Sequence, residues 1–119
     1  MRNQSGKTMQ IGEVAELTQL SLRTIRHYDD VGLVPPSARS EGGFRLYTEQ
    51  DVERLNHVRR ITPLGFSLEE TAQILNLLDG KDSDLTLEEV LQRAEKSRDK
   101  LARQLRQADE FISSLHQLP

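Results

Sequence analysis

The chain has 119 residues, 16 Lys and Arg against 19 Asp and Glu for a net charge of −3, 35% hydrophobic residues and 4% aromatics. It contains no cysteine, which excludes disulfides, thiolate metal sites, iron–sulfur clusters and cysteine nucleophiles. No apolar run approaches the roughly 20 residues that cross a bilayer, and the N-terminal MRNQSGKT lacks a signal-peptide core, so a soluble cytoplasmic protein with no membrane partner is expected.

Residues 1–8 are polar and read as a flexible tail. In MQIGEVAELTQLS, the residues Ile11, Val14, Ala15, Leu17 and Leu20 mark a short amphipathic helix of about two turns, closed by Thr18 and Gln19. Ser21 then caps a second helix, from Leu22 to about Val31, which stops at Gly32. Two short helices joined by a tight turn form a helix-turn-helix outline. On the second helix Leu22, Ile25 and part of Tyr28 face inward, and Arg23, Thr24, Arg26, His27 and Asp30 face out. Pro35-Pro36 forbids helix, and SARSEGGFRLY reads as two extended segments about a Glu41-Gly42-Gly43 turn. Arg39 falls on the first segment, and Arg45 and Tyr47 on the second.

Thr48 caps a third helix with Val52, Leu55, Val58 and Ile61 on one stripe, ending near Pro63. Ser67 and Glu70 form a capping box for a fourth, with Leu68, Ala72, Ile74, Leu75 and Leu78 inward and Asp79-Gly80 at its end. A polar loop over 80–85 follows. Thr86 to Glu89 cap a last helix that runs to about Leu118. It is too long to bury against so small a domain.

The long helix carries Leu87, Leu91, Ala94, Arg98, Leu101, Leu105, Ala108, Ile112 and Leu115 at alternating four- and three-residue steps. That is a heptad seam over four heptads, and its leucines call for a partner. Homodimerisation through a two-stranded coiled coil is preferred over a helix folded back on its own domain. Residues 1–65 hold nine Lys and Arg against eight Asp and Glu, and residues 66–119 seven against eleven. The negative charge therefore belongs mostly to the dimerising half.

An outward arginine on a helix in the major groove can bond guanine bidentately, and threonine can reach phosphate or a thymine methyl. Arg, His and Tyr donors at the helix edge suit phosphates. Each residue alone is an ordinary surface group. Their conjunction, on a capped turn beside a Gly-Gly wing with arginine on each side and a dimerising helix, points to double-stranded DNA.

Over residues 11 to about 75 the sequence resembles the N-terminal domain of MerR-family bacterial transcription regulators, without a gap. The motifs are I-G-E-x-A at 11–15, S-x-R-T-x-R-x-Y-[DE] at 21–29, G-L-x-P-P at 32–36, G-G-[FY]-R-x-Y at 42–47 and L-G-F-S-L-E-E at 64–70. The resemblance implies a mainly α protein. A winged helix-turn-helix DNA-binding domain with a two-stranded wing spans 9–79, and a dimerisation helix in an antiparallel coiled coil spans 86–118. It places Arg23, Thr24 and Arg26 on the major-groove helix, His27 and Tyr28 at backbone contacts, and Arg39, Arg45 and Tyr47 in the wing. Asp29 matches a structural acid. His27 stands where the family commonly has Tyr. Gln19 stands where it has Gly, so a less tight turn is expected, and Pro63 should sharpen the bend after the third helix.

The function implied is that of a homodimeric, sequence-specific transcriptional regulator on a pseudo-palindromic promoter operator. Such regulators bend and untwist the promoter so that RNA polymerase can engage it, at a deformation cost of order 1–6 kcal/mol. The alternatives are an effector-independent repressor, or an architectural or excisionase-like DNA-binding factor; a third is a dimeric protein-interaction module. Family metal sensors use cysteines, and at the first of those positions this chain has Asp82-Ser83-Asp84. Asp79, Asp82 and Asp84 read as a solvated loop, so no metal and no cofactor are expected. A small organic effector at the dimer interface, a protein partner, or no effector remain. Three scattered histidines and no Gly-rich phosphate loop argue against an enzyme.

Overall fold

The computed structural model describes residues 7–119; most of the tail expected over 1–8 lies outside them. A short strand β1 (Met9–Gln10) leads directly into α1 (Ile11–Thr18) and α2 (Leu22–Asp30). The wing strands β2 (Ala38–Arg39) and β3 (Arg45–Tyr47) follow, then α3 (Glu49–Ile61), a 3-10 turn (Thr62–Leu64), α4 (Leu68–Leu78) and α5 (Leu87–His116). The expected wing has two strands; β1 adds a third, and the order is β1-β3-β2, all antiparallel. Two residues of β1 were too few to show an alternating pattern.

The caps form as the side-chain chemistry dictates. Ser21 accepts from the Thr24 amide, and Thr48, Ser67 and Thr86 each build a reciprocal capping box with the acid three residues on. The turn between α1 and α2 is tight despite the missing glycine. Gln19 itself adopts the left-handed conformation, φ 60°, and its Nε2 donates to the Glu16 carbonyl at 2.8 Å. The expectation of a looser turn is thus corrected: backbone strain takes the place of glycine. Gly65, φ 87°, reverses the chain after Pro63 so that α4 can fold back on α3.

The core joins Met9, Val14, Ile25, Tyr28, Leu33, Val34, Tyr47, Leu55, Val58 and Leu75. Leu33 and Val34 tuck inward because both their amides bond the Tyr28 carbonyl. Four leucines assigned to inward stripes lie at its margin instead: Leu17, Leu22, Leu68 and Leu78 are all exposed. On α1 the inward place next to Leu17 goes to Thr18, whose hydroxyl donates to the Val14 carbonyl and so enters the core satisfied. Buried Asp51 accepts from the Ser37 amide and hydroxyl and from the Thr48 amide, tying the start of the wing to α3.

Candidate nucleic-acid interface

Helix α2 presents its polar side to solvent. Arg23, Arg26 and His27 are exposed, whereas Ile25 and Tyr28 anchor the opposite side in the core. Thr24 is half-covered, and its hydroxyl oxygen accepts from Ser21 Oγ at 2.9 Å. His27 sits beside Tyr28, ring centroids 5.8 Å apart. Only an edge of Tyr28 is accessible, so any backbone contact it makes is through that edge.

The wing is bound to this helix by one carboxylate. Arg39 and Arg45 lie directly opposite each other on β2 and β3, a pairing of like charges that would cost stability alone. Asp29 at the end of α2 lies beneath both. Its Oδ2 accepts from Arg45 Nε at 2.7 Å and from Arg39 Nη2 at 3.1 Å. The Arg45 hydrogen bond holds the Asp29 carboxyl below the usual carboxylate range, with Arg39 adding to it against the opposing effect of burial. The same bond raises the Arg45 guanidinium. Each arginine still exposes part of its side chain, 48% for Arg39 and 25% for Arg45. Two donors are therefore aimed along one edge of α2 before any ligand arrives. Phe44, next to Arg45 at the wing tip, is exposed and was not singled out from sequence.

Tyr47 is not a surface group. It is fully buried in the core, its hydroxyl has no hydrogen-bond partner among the described residues, and burial pushes its pKa up. The reason is strand alternation. Arg45 and Tyr47 share one side of β3, and that side faces α2 and the core rather than outward.

Helix α5 leaves the domain with no buried residue along its length. Its first turns are docked. Ser97 Oγ donates to the Leu64 carbonyl at 2.8 Å, and the Arg93 guanidinium lies 4.5 Å over the Phe66 ring while pairing with Glu70. That pair, with the Ser67 amide, pulls the Glu70 carboxyl down to about 2. On either side of this joint the seam faces solvent: Leu87 and Leu91 before it, and Leu101, Leu105, Ala108, Ile112 and Leu115 after it, are exposed, and Ala94 is half-covered. Arg98 pairs with its neighbour Asp99 at the surface. Phe111, absent from the seam read in the sequence, is 63% exposed beside it. Asp79 pairs with Arg54 on α3, which takes it away from the acidic loop. Among the described residues no helix is long and apolar enough to cross a membrane.

Comparison with known proteins agrees with this arrangement. The family model "MerR HTH family regulatory protein" matches residues 9–78, and "MerR, DNA binding" matches 52–118. The chain is 42% identical over 71 residues to the HTH-type transcriptional regulator CueR of Escherichia coli O6:H1, covering 60% of this chain and 53% of that protein. It thus spans about half the length of such curated relatives. A CueR of Vibrio cholerae is 36% identical over 113 residues, 89% of this chain and 80% of its own. In structure the chain resembles HiNmlR, a MerR family regulator lacking the sensor domain, solved bound to promoter DNA. The TM-score is 0.70 at 27% identity, over 90% of this chain and 80% of that one.

Proposed function

Because the chain belongs to the MerR family of helix-turn-helix regulatory proteins, we propose that it is a cytoplasmic transcriptional regulator that binds promoter DNA as a homodimer. The family is one of transcriptional regulators, not of enzymes. Arg23 and Arg26 on α2 read base edges in the major groove, Thr24 and His27 contact the groove rim or backbone, and Arg39 and Arg45 hold outer phosphates. Two such units joined through α5 face a pseudo-palindromic operator. Their wings grip its flanks while the DNA between is bent and untwisted, which brings RNA polymerase into register with the promoter. The observation that carries this reading is the shared Asp29 carboxylate, which makes the α2 arginines and the wing arginines one preset surface. The crystal structure of HiNmlR on promoter DNA supports it.

The test is footprinting of the purified protein on genomic DNA, with binding titrated against salt. Protection of two related half-sites within promoters, with log affinity falling linearly in log salt, is expected. Uniform binding without discrete sites would favour an architectural role, and no salt-dependent binding would overturn the proposal. A small organic molecule at the dimer interface remains the effector chemistry to test once bound promoters are known.

A further inference from the structure

Resting on the proposal that α2 enters the groove, we infer that His27 holds a backbone phosphate in its protonated form. The proton is then a ligand of this regulator, and it sets the affinity for DNA.

His27 lies on the exposed, polar side of α2, one turn after Arg23. Its ring leans on that of Tyr28, with centroids 5.8 Å apart and planes at 45°. Among the described residues it has no ion pair and no side-chain hydrogen bond. Asp29, two residues on, points almost the opposite way, to the wing arginines. The imidazole therefore keeps both nitrogens free for a ligand.

The charged groups on the elements around it are few. Helix α2 itself carries Arg23, Arg26 and Asp30, and α1 carries Glu13 and Glu16. The wing brings Arg39 and Arg45, both held by Asp29. The start of α4 brings Glu69, which lines a hollow with Val31 and Leu33 beyond the end of α2. Asp30 is the carboxylate nearest in sequence. It is 70% exposed and stands 3.9 Å from Arg45, so it competes weakly for an imidazolium.

A neutral imidazole offers one uncharged donor, whereas an imidazolium offers two donors and a positive charge. Hydrogen bonds to an anion are roughly twice as strong when the donor is charged. A phosphate reached by Arg23 and His27 together is thus held best when His27 is protonated, and binding takes up a proton. Every other cation on this surface is an arginine, charged at any working pH. Carboxylates titrate near 4 and tyrosines near 10, so only the imidazole changes charge between about pH 5 and 8. The protonated fraction grows as pH falls, so operator affinity rises on acidification and is lost as pH rises through the imidazole range. His57 on α3 and His116 at the end of α5 stand outside α2 and the wing.

The test is titration of a mapped operator duplex at constant ionic strength from about pH 5.5 to about pH 8. Wild-type affinity is expected to fall at least about tenfold across that range, and the salt slope to flatten by about one per copy. His27→Arg should bind tightly at every pH, which also shows that the fold survives substitution. His27→Gln should bind at every pH as weakly as wild type does at the alkaline end. Asp30→Asn, His57→Gln and His116→Gln should keep the wild-type pH profile. A flat wild-type profile, or a pH slope that survives in His27→Gln, overturns the inference. Discrete operator sites with a flat profile overturn this inference alone, whereas no discrete sites at any pH overturn the proposed function beneath it.

Discussion

Arg45 donates Nε–H to the Asp29 carboxylate at 2.7 Å, and so fastens the second wing strand to the end of the helix that the wing flanks. Because Arg39 shares that carboxylate, its loss releases both arginines at once. Asp29→Asn is expected to lower stability by about 1 kcal/mol, solvent screening keeping the figure below that of a buried ion pair. The contribution has a pH signature. The folded carboxyl titrates below its ordinary value of 3.8, so the stability it adds is full above that value. It is lost as pH falls through the lower folded value. The stability gap between wild type and Asp29→Asn, read by urea unfolding, should therefore narrow on acidification; a gap that widens would refute the role given to this carboxylate.

The two sets of arginines should separate by what they do to specificity. Arg23→Ala and Arg26→Ala are each expected to cost roughly 1–3 kcal/mol on the mapped operator and to relax its sequence preference. Arg45→Ala should weaken binding to all sequences alike and flatten the salt slope. Competition titrations with operator and scrambled duplexes distinguish them, and unchanged operator binding in Arg26→Ala would sink the assignment of α2 to the major groove.

Tyr47→Phe tests the wing from the other side. The hydroxyl is buried without a protein partner among the described residues, so its removal is expected to leave stability unchanged or raise it by up to about 1 kcal/mol. DNA affinity should not change. A clear loss of affinity would return Tyr47 to the contact surface.

Gln19 holds a left-handed backbone conformation that glycine adopts without strain. Gln19→Gly should stabilise the fold by about 0.5–1 kcal/mol, the relief of strain exceeding the added chain entropy. Thermal unfolding checks the sign: a lower midpoint in the variant would mean that the Gln19 to Glu16 hydrogen bond outweighs the strain.

Leu105→Asp places a charge at the centre of the seam on the exposed face of α5. It should convert the dimer to a monomer in sedimentation while leaving the far-UV spectrum largely helical. A persistent dimer would move the interface elsewhere.

Much of this architecture was legible because local rules suffice for it. Ser21, Thr48, Ser67 and Thr86 announce their helices by side-chain chemistry, and the 3.6-residue stripe through Val52, Leu55 and Val58 selects the buried side of α3. Long-range placement was less accessible. Whether Tyr47 points at DNA or into the core depends on α1 and α3 packing over β3, which no spacing in the sequence encodes. The roles of Asp51 and Arg93 depend on Ser37 and on Phe66 with Glu70, fourteen or more residues away. Phe111 escaped the heptad count because a straight helix drifts against a seven-residue repeat, and its stripe has rotated by the last turns.

The joint formed by Arg93, Phe66 and Ser97 has a mechanical meaning. Helix α5 spans 30 residues, about 45 Å, and is fixed to the domain only near one end. Beyond Ser97 the helix runs on for 19 residues, roughly 29 Å, so a tilt of about 5° at that joint carries the far tip through about 2.5 Å by simple leverage. In the proposed dimer, a small repacking beneath Phe66 would change the separation of the two α2 helices by a sizeable part of a base-pair step. On the homodimer reading, the 64–66 corner, apart from α2 and the wing, would then set the spacing of the half-sites.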